Sequence, residues 1–172
     1  INYQFFNYTL STDNSQVKTH WTDLYKCVTR SNIILDKIDG IPFENETDKQ
    51  ELKAEMYFLR ALTYFHLVMQ FGDVPVVTTE LKTKEEIQEH TARDPKSLVY
   101  NQIIDDLTKV TESPLPDNQT GDGIGRVSKA AAYGLLGKVY LSKAADEDFQ
   151  SERENNLKAA KSSLETVWKM RP

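Results

Sequence analysis

The side chains that could do chemistry in this sequence are few and scattered. His20, His66 and His90 stand far apart, and none lies at metal-ligand spacing from another histidine or from the single cysteine, Cys27. No metal site is expected. His66 falls among apolar neighbours and reads as a hydrogen-bonded core residue; Cys27 reads as a small packed one. Asp105 and Asp106 are adjacent, so on a helix they point about 100° apart and cannot work as a paired acid and base. They read as a solvated face with one salt bridge. Gly121, Gly123 and Gly125 do not form G-x-G-x-x-G, and no phosphate-binding loop, zinc-protease or serine-hydrolase motif is present. Nothing here asks for a cofactor, and an enzyme is not expected.

Two cations and one aromatic cluster say more. Arg60 sits mid-helix among Phe58, Leu59, Ala61 and Leu62. A buried guanidinium must be paired, so Arg60 is expected to lock two helices through an ion pair, with Glu55 or an acid elsewhere as partner. Arg126, just before a helix start, is expected to do a similar structural job. Sugar rings stack their C–H faces on aromatic rings, while Asn and Asp bond the hydroxyls. Tyr3, Phe5, Phe6, Tyr8 and Trp21, mixed with Asn2, Asn7, Asp13 and Asn14, have that composition and are the candidate ligand-binding residues. Packed core aromatics would have the same composition. The Asn-x-Thr triplets at Asn7, Asn45 and Asn118 matter only in a eukaryotic secreted protein.

The elements that must position these residues are helices. The 172 residues, 39% apolar and 27% charged, suit one compact domain with a real core. A net charge of -5 gives no general attraction for phosphate backbones, so a nucleic-acid partner is not expected. One cysteine supports no disulfide framework. No run approaches the roughly 18 to 20 apolar residues that cross a bilayer; Met56 to Phe71 is broken by Arg60, Thr63, His66 and Gln70. The chain begins at Ile1 rather than Met, so a processed or excerpted chain is expected, with export or an upstream lipid anchor left open.

Residues 1–18 read as an extended lead-in and 19–172 as one helical region. Trp21, Leu24, Tyr25, Val28, Leu35 and Ile38 share a helical face, stopped by Asp39-Gly40 and Pro42. Thr47 to Gln50 reads as a capping box opening a helix that is apolar on two faces and so should lie between neighbours. Gly72 and Pro75 stop it. Within residues 73–94, Val74 to Val77 suggest a short extended piece, and Thr83 to Glu86 a helical turn. Asp94-Pro95 should open a third long helix with Leu98, Ile103, Leu107 and Val110 inward. Ser128 should cap a fourth, with Ala132, Leu135, Leu136, Val139 and Tyr140 inward. Ser151 to Glu154 should cap a fifth, with Leu157, Ala160, Leu164, Val167 and Trp168 in the core.

The expected fold class is all-α, an irregular tetratricopeptide-like helical repeat of about five main helices. Tyr133, Leu136-Gly137 and Tyr140 match the first helix of such a repeat. Ala160, Leu164, Val167 and Pro172 match the second, after about eleven extra residues. Gly137 and Ala160 would let the two helices approach closely. A generic helical bundle is the plainer alternative.

Several segments, in order, resemble the SusD/RagB family, surface glycan-binding lipoproteins of Bacteroidetes. Ala54-Glu55-Met56-Tyr57-Phe58-Leu59-Arg60-Ala61 with Phe71-Gly72-Asp73-Val74-Pro75 is similar to its signature. Trp21-x-x-Leu24-Tyr25 with Asn32-Ile33-Ile34-Leu35, Val99-Tyr100-x-x-Ile103-Ile104-x-Asp106-Leu107, and Gly125-Arg126-Val127-Ser128 with its following helix resemble the neighbouring helices. The resemblance implies a longer protein at the outer-membrane surface, held by a lipid anchor outside this chain. It implies non-catalytic capture of oligosaccharides and delivery to a SusC/RagA-type TonB-dependent transporter. Some members take up peptides instead. A soluble tetratricopeptide scaffold for protein tails is the alternative of another class. On the resemblance, Trp21 matches a family position that reads as packing.

Overall fold

The structure is a computed structural model, and it describes Ser11 and residues 14–171. Among the described residues six α-helices follow one another: α1 (Ser15–Lys37), α2 (Glu46–Phe71), α3 (Lys84–Glu89), α4 (Lys96–Glu112), α5 (Lys129–Ala145) and α6 (Arg153–Lys169). Short 3-10 turns occupy Ile38–Gly40, Gly121–Gly123 and Glu147–Glu152. The fold is all-α, as expected, with five long helices and the short α3. The extended piece around Val74 amounts to one antiparallel bridge between Val74 and Asp94.

The helix boundaries follow local capping chemistry, not always at the expected residue. The Ser128 hydroxyl accepts from Ala131 N at 3.2 Å, and Thr83 and Glu86 form the capping box of α3. Four starts differ, that of α4 among them, where Pro95 rather than Asp94 is the cap residue. α1 begins at Ser15 rather than Thr19, because Asn14 Oδ1 accepts from the Gln16 and Val17 amides. The helix therefore takes four residues from the expected lead-in. α2 is capped by Asn45, not Thr47, whose own amide donates to Asn45 Oδ1 at 2.9 Å. α6 has no Ser151 box: the 3-10 turn runs straight into it, and its cap residue Glu152 makes no capping bond. Gly72 ends α2 at φ +70°, a left-handed conformation that glycine adopts without Cβ strain.

The long helices pack in the order α1, α2, α4, α5, α6, each against the next. α2 lies between α1 and α4, which is why both its stripes are apolar. Ala61, Tyr64 and Leu67 of α2 are fully buried with Val28 of α1, Ile103, Leu107 and Val110 of α4, and Ala132 and Val139 of α5. α5 and α6 form the expected tetratricopeptide-like pair. A Cβ on Gly137 would lie 2.7 Å from two carbons of Leu164, so the bare glycine sets how close the helices come.

Four packing expectations are corrected. Trp168 is 67% exposed, and Leu157 and Leu164 are each 42% exposed; α6 buries Asn156, Ala160 and Ser163 instead. Leu98 is 50% exposed on the first turn of α4. His66 is exposed rather than a core residue. Asp106 is fully buried rather than on a solvated face; Asp105 alone lies there, paired with Lys109.

Candidate functional site

The connection from α2 to α3 crosses the molecule as an extended strap, and two helices, α1 and α2, grip its main chain. The Tyr25 hydroxyl of α1 donates to Pro75 O at 2.8 Å. Asn32 Nδ2 donates to Val77 O and Thr79 O at 3.0 and 3.1 Å. From α2, the Tyr64 hydroxyl donates to Val77 O and accepts from Val77 N. Burial pushes both tyrosine hydroxyls up from their ordinary pKa. Asp94 does not cap α4, whose cap residue is Pro95; its carboxylate accepts from Val76 N at 2.8 Å.

Arg60 is the centre of this arrangement. Its Nε and Nη2 donate to the two carboxylate oxygens of Asp106 on α4, at 2.8 and 2.7 Å. Its Nη1 donates to Asn32 Oδ1 and Thr78 O at 2.8 and 2.9 Å. Gln102 Nε2 adds a donor to Asp106 at 2.9 Å. Burial works against the Arg60 charge, and the Asp106 hydrogen bonds more than restore it, holding its pKa above the ordinary value. The expected buried ion pair is present, but its acid is Asp106. Glu55 is taken by Arg126, whose Nε donates to it at 2.8 Å and so ties the 117–127 loop to α2. Asp106 and Asn32 had a legible signal: Asp106 falls in phase with Ile103, Leu107 and Val110, and Asn32 with Val28 and Leu35.

This polar core is structural chemistry: every strong donor in it is spent on a protein acceptor. One surface cleft lies on the outer side of α1. Trp21 is half-buried, its ring edge-on to Phe71 and tilted against Tyr25, both at 4.9 Å between centroids. Thr22, Thr29, Arg30 and Ile33 line a shallow cleft with Trp21 and Tyr25. Thr29 and Arg30 are exposed. An aromatic wall beside hydroxyl and guanidinium donors can take the apolar face of a sugar ring and bond its hydroxyls. Tyr3, Phe5, Phe6 and Tyr8 lie outside the described residues, so Trp21 alone of the five candidates is placed. Among the described residues, no group of His, Cys, Asp or Glu is arranged to hold a metal ion. No described helix is long and apolar enough to cross a membrane.

A SusD-like family model described as "Starch-binding associating with outer membrane" matches residues 2–141. The SusD-like protein P2 of Formosa agariphila is 34% identical over 148 residues, covering 86% of this chain and 28% of that protein. A SusD superfamily protein from Parabacteroides distasonis superposes with a TM-score of 0.82 at 33% identity, over 98% of this chain and 35% of that one. A laminarin-binding SusD-like protein gives a TM-score of 0.68 at 35% identity, over 77% of this chain and 28% of that one. This chain thus spans under a third of the curated relative's length. The family-model match over residues 2–141 and these relatives lead to one assignment: the chain belongs to the SusD-like family.

Proposed function

We propose that the protein of which these helices form part captures oligosaccharides at the outer-membrane surface without chemical change, as a lipid-anchored protein, and passes them to a SusC/RagA-type TonB-dependent transporter. The observation that carries this reading is the match over residues 2–141 to a family described as starch-binding and associated with the outer membrane. The laminarin-binding relative, 35% identical, supports glycan rather than peptide as the ligand class. On this reading the helices are first a scaffold. The Trp21 cleft is a secondary contact, where a sugar ring stacks on the indole and Thr29 and Arg30 bond its hydroxyls. Weak stacking contacts suit a protein that must release its cargo, and hydroxyl recognition supplies selectivity.

The test is calorimetric titration of the full-length protein with laminarin, xyloglucan and malto-oligosaccharides, and with a peptide mixture as competitor. Saturable glycan binding, and a large barrel protein co-purifying from membranes, are expected. Saturable heat from the peptide mixture with none from any glycan would overturn the glycan reading. For the cleft, Arg30→Ala is expected to weaken glycan binding several-fold with an unchanged unfolding midpoint; unchanged affinity would remove this cleft from the site.

A further inference from the structure

The two ends of the helical stack are finished differently. On α1, the first of the described helices, the outward positions include Thr22, Asp23, Lys26, Thr29 and Arg30, all exposed and polar. That is how a terminal helix in a stack normally meets water. On α6, the last helix, Leu157, Leu164 and Trp168 stand seven and four residues apart and so line one side. They are 42%, 42% and 67% exposed. Leu164 rests on Gly137 of α5, and Leu141, one turn further along α5, is 45% exposed, so the apolar strip continues across the seam between the helices. Ion pairs Lys158–Glu154 and Lys161–Glu165 border the strip, and the Arg171 guanidinium lies over the Trp168 ring, 2.8 Å from its centroid. Gly134 shares that side of α5, with open space where a Cβ would stand.

We propose that this α5–α6 face is an interior seam, covered by a further segment of the same polypeptide from outside the part described here. Chain length favours that occupant over a second copy or a lipid surface. The Parabacteroides relative carries this helical framework over 98% of the present chain within a protein of which the framework is 35%, so about two-thirds of such a protein remains to be packed. A helix laid along Leu157, Leu164 and Trp168 would extend the stack by the rule that joins α4, α5 and α6, each against its predecessor. The inference rests on the family relationship and on this surface, and it stands whether or not the protein binds glycans.

The experiment is hydroxyl-radical footprinting of the full-length, unsubstituted protein, read by mass spectrometry at Trp168. At 67% exposure the indole would oxidise nearly as fast as in the urea-unfolded protein; beneath a covering segment it should oxidise at least tenfold more slowly. As a second measurement, Trp168→Cys and Leu157→Cys are alkylated in a Cys27→Ser background of the full-length protein, with Lys158→Cys as reference. The strip positions should react at least tenfold more slowly than the reference. Free oxidation of Trp168 together with equal alkylation rates overturns the proposal. So does protection that disappears on dilution, which identifies a second copy, or protection that appears only with lipid vesicles, which identifies a membrane.

Discussion

The α1–α2–α4 half and the α5–α6 half of the molecule solve the same packing problem by opposite means. In the first, helices are joined through buried charge: Arg60, Asp106 and Asn32 meet in a fully bonded network that also reaches the strap. In the second, the helices meet through an absence, the missing side chain at Gly137 that admits Leu164. Hydrogen bonds fix direction, because a bidentate guanidinium–carboxylate pair tolerates little rotation. A bare glycine fixes distance and leaves rotation to the surrounding apolar contacts. One half is therefore specified by orientation and the other by approach.

The contrast can be broken by substitution, with the largest effect expected in the polar half. Asp106→Ala leaves the Arg60 guanidinium buried and unpaired, and should cost about 3–5 kcal/mol in urea unfolding. The double variant Arg60→Met with Asp106→Leu should recover most of that loss, since an apolar pair needs no partner. If both variants lose equally, geometry rather than unpaired charge is what matters there. In the apolar half, Gly137→Leu must push α6 away and should cost about 1–3 kcal/mol. Gly134→Ala, with nothing near its Cβ, should instead raise the stability of the described helices by about 0.5–1 kcal/mol. The same sign at both glycines would mean that approach distance does not govern this pair.

Smaller effects sharpen the picture. Tyr25→Phe removes one hydrogen bond to the strap, at Pro75 O, and should cost about 1 kcal/mol, with faster hydrogen exchange at Val76 and Val77. The smallest concerns the Lys96–Asp146 pair linking the start of α4 to the end of α5. Burial raises the Asp146 pKa, but the Lys96 hydrogen bonds outweigh it and leave the carboxyl below its ordinary 3.8. A depressed carboxyl stabilises the fold above its unfolded pKa, and that contribution fades as pH falls through the folded value. The difference between wild type and Lys96→Met should thus be present at pH 6, at most about 1 kcal/mol, and should shrink as pH falls below about 4.

Much of the fold was legible because its signals are local. Thr83 with Glu86, Ser128 and Gly72 each act on amides or dihedrals within a few residues, so sequence spacing finds them. The misplaced starts have other causes. Thr47, Asp94 and Ser151 are all chemically able caps, but Asn45 caps α2, Asp94 is spent on Val76 N, and the 3-10 turn runs through Ser151. Long-range choices were least legible. The need of Arg60 for an acid was readable from its apolar neighbours, yet the choice of Asp106 over Glu55 depends on which helix packs on which. Trp168 shows the same limit: α6 turns Asn156, Ala160 and Ser163 inward and leaves Leu157, Leu164 and Trp168 exposed, and which face meets α5 is a long-range choice. Of the ligand candidates, Trp21 sits in an aromatic cleft, and its double role in packing and exposure could not be read from composition.

The grip on the strap has a consequence for mutational tolerance. Tyr25, Asn32, Arg60 and Tyr64 reach Pro75, Val77, Thr78 and Thr79 through their peptide groups, which every residue type supplies. Beyond the buried Val74 that anchors its start, the information that places this segment is therefore written largely in the helices. In a saturation screen for folded protein, exposed strap positions such as Thr79 should accept most residues, while the four gripping positions accept almost none. A passage of chain can thus be fixed in space and still be free to drift in spelling.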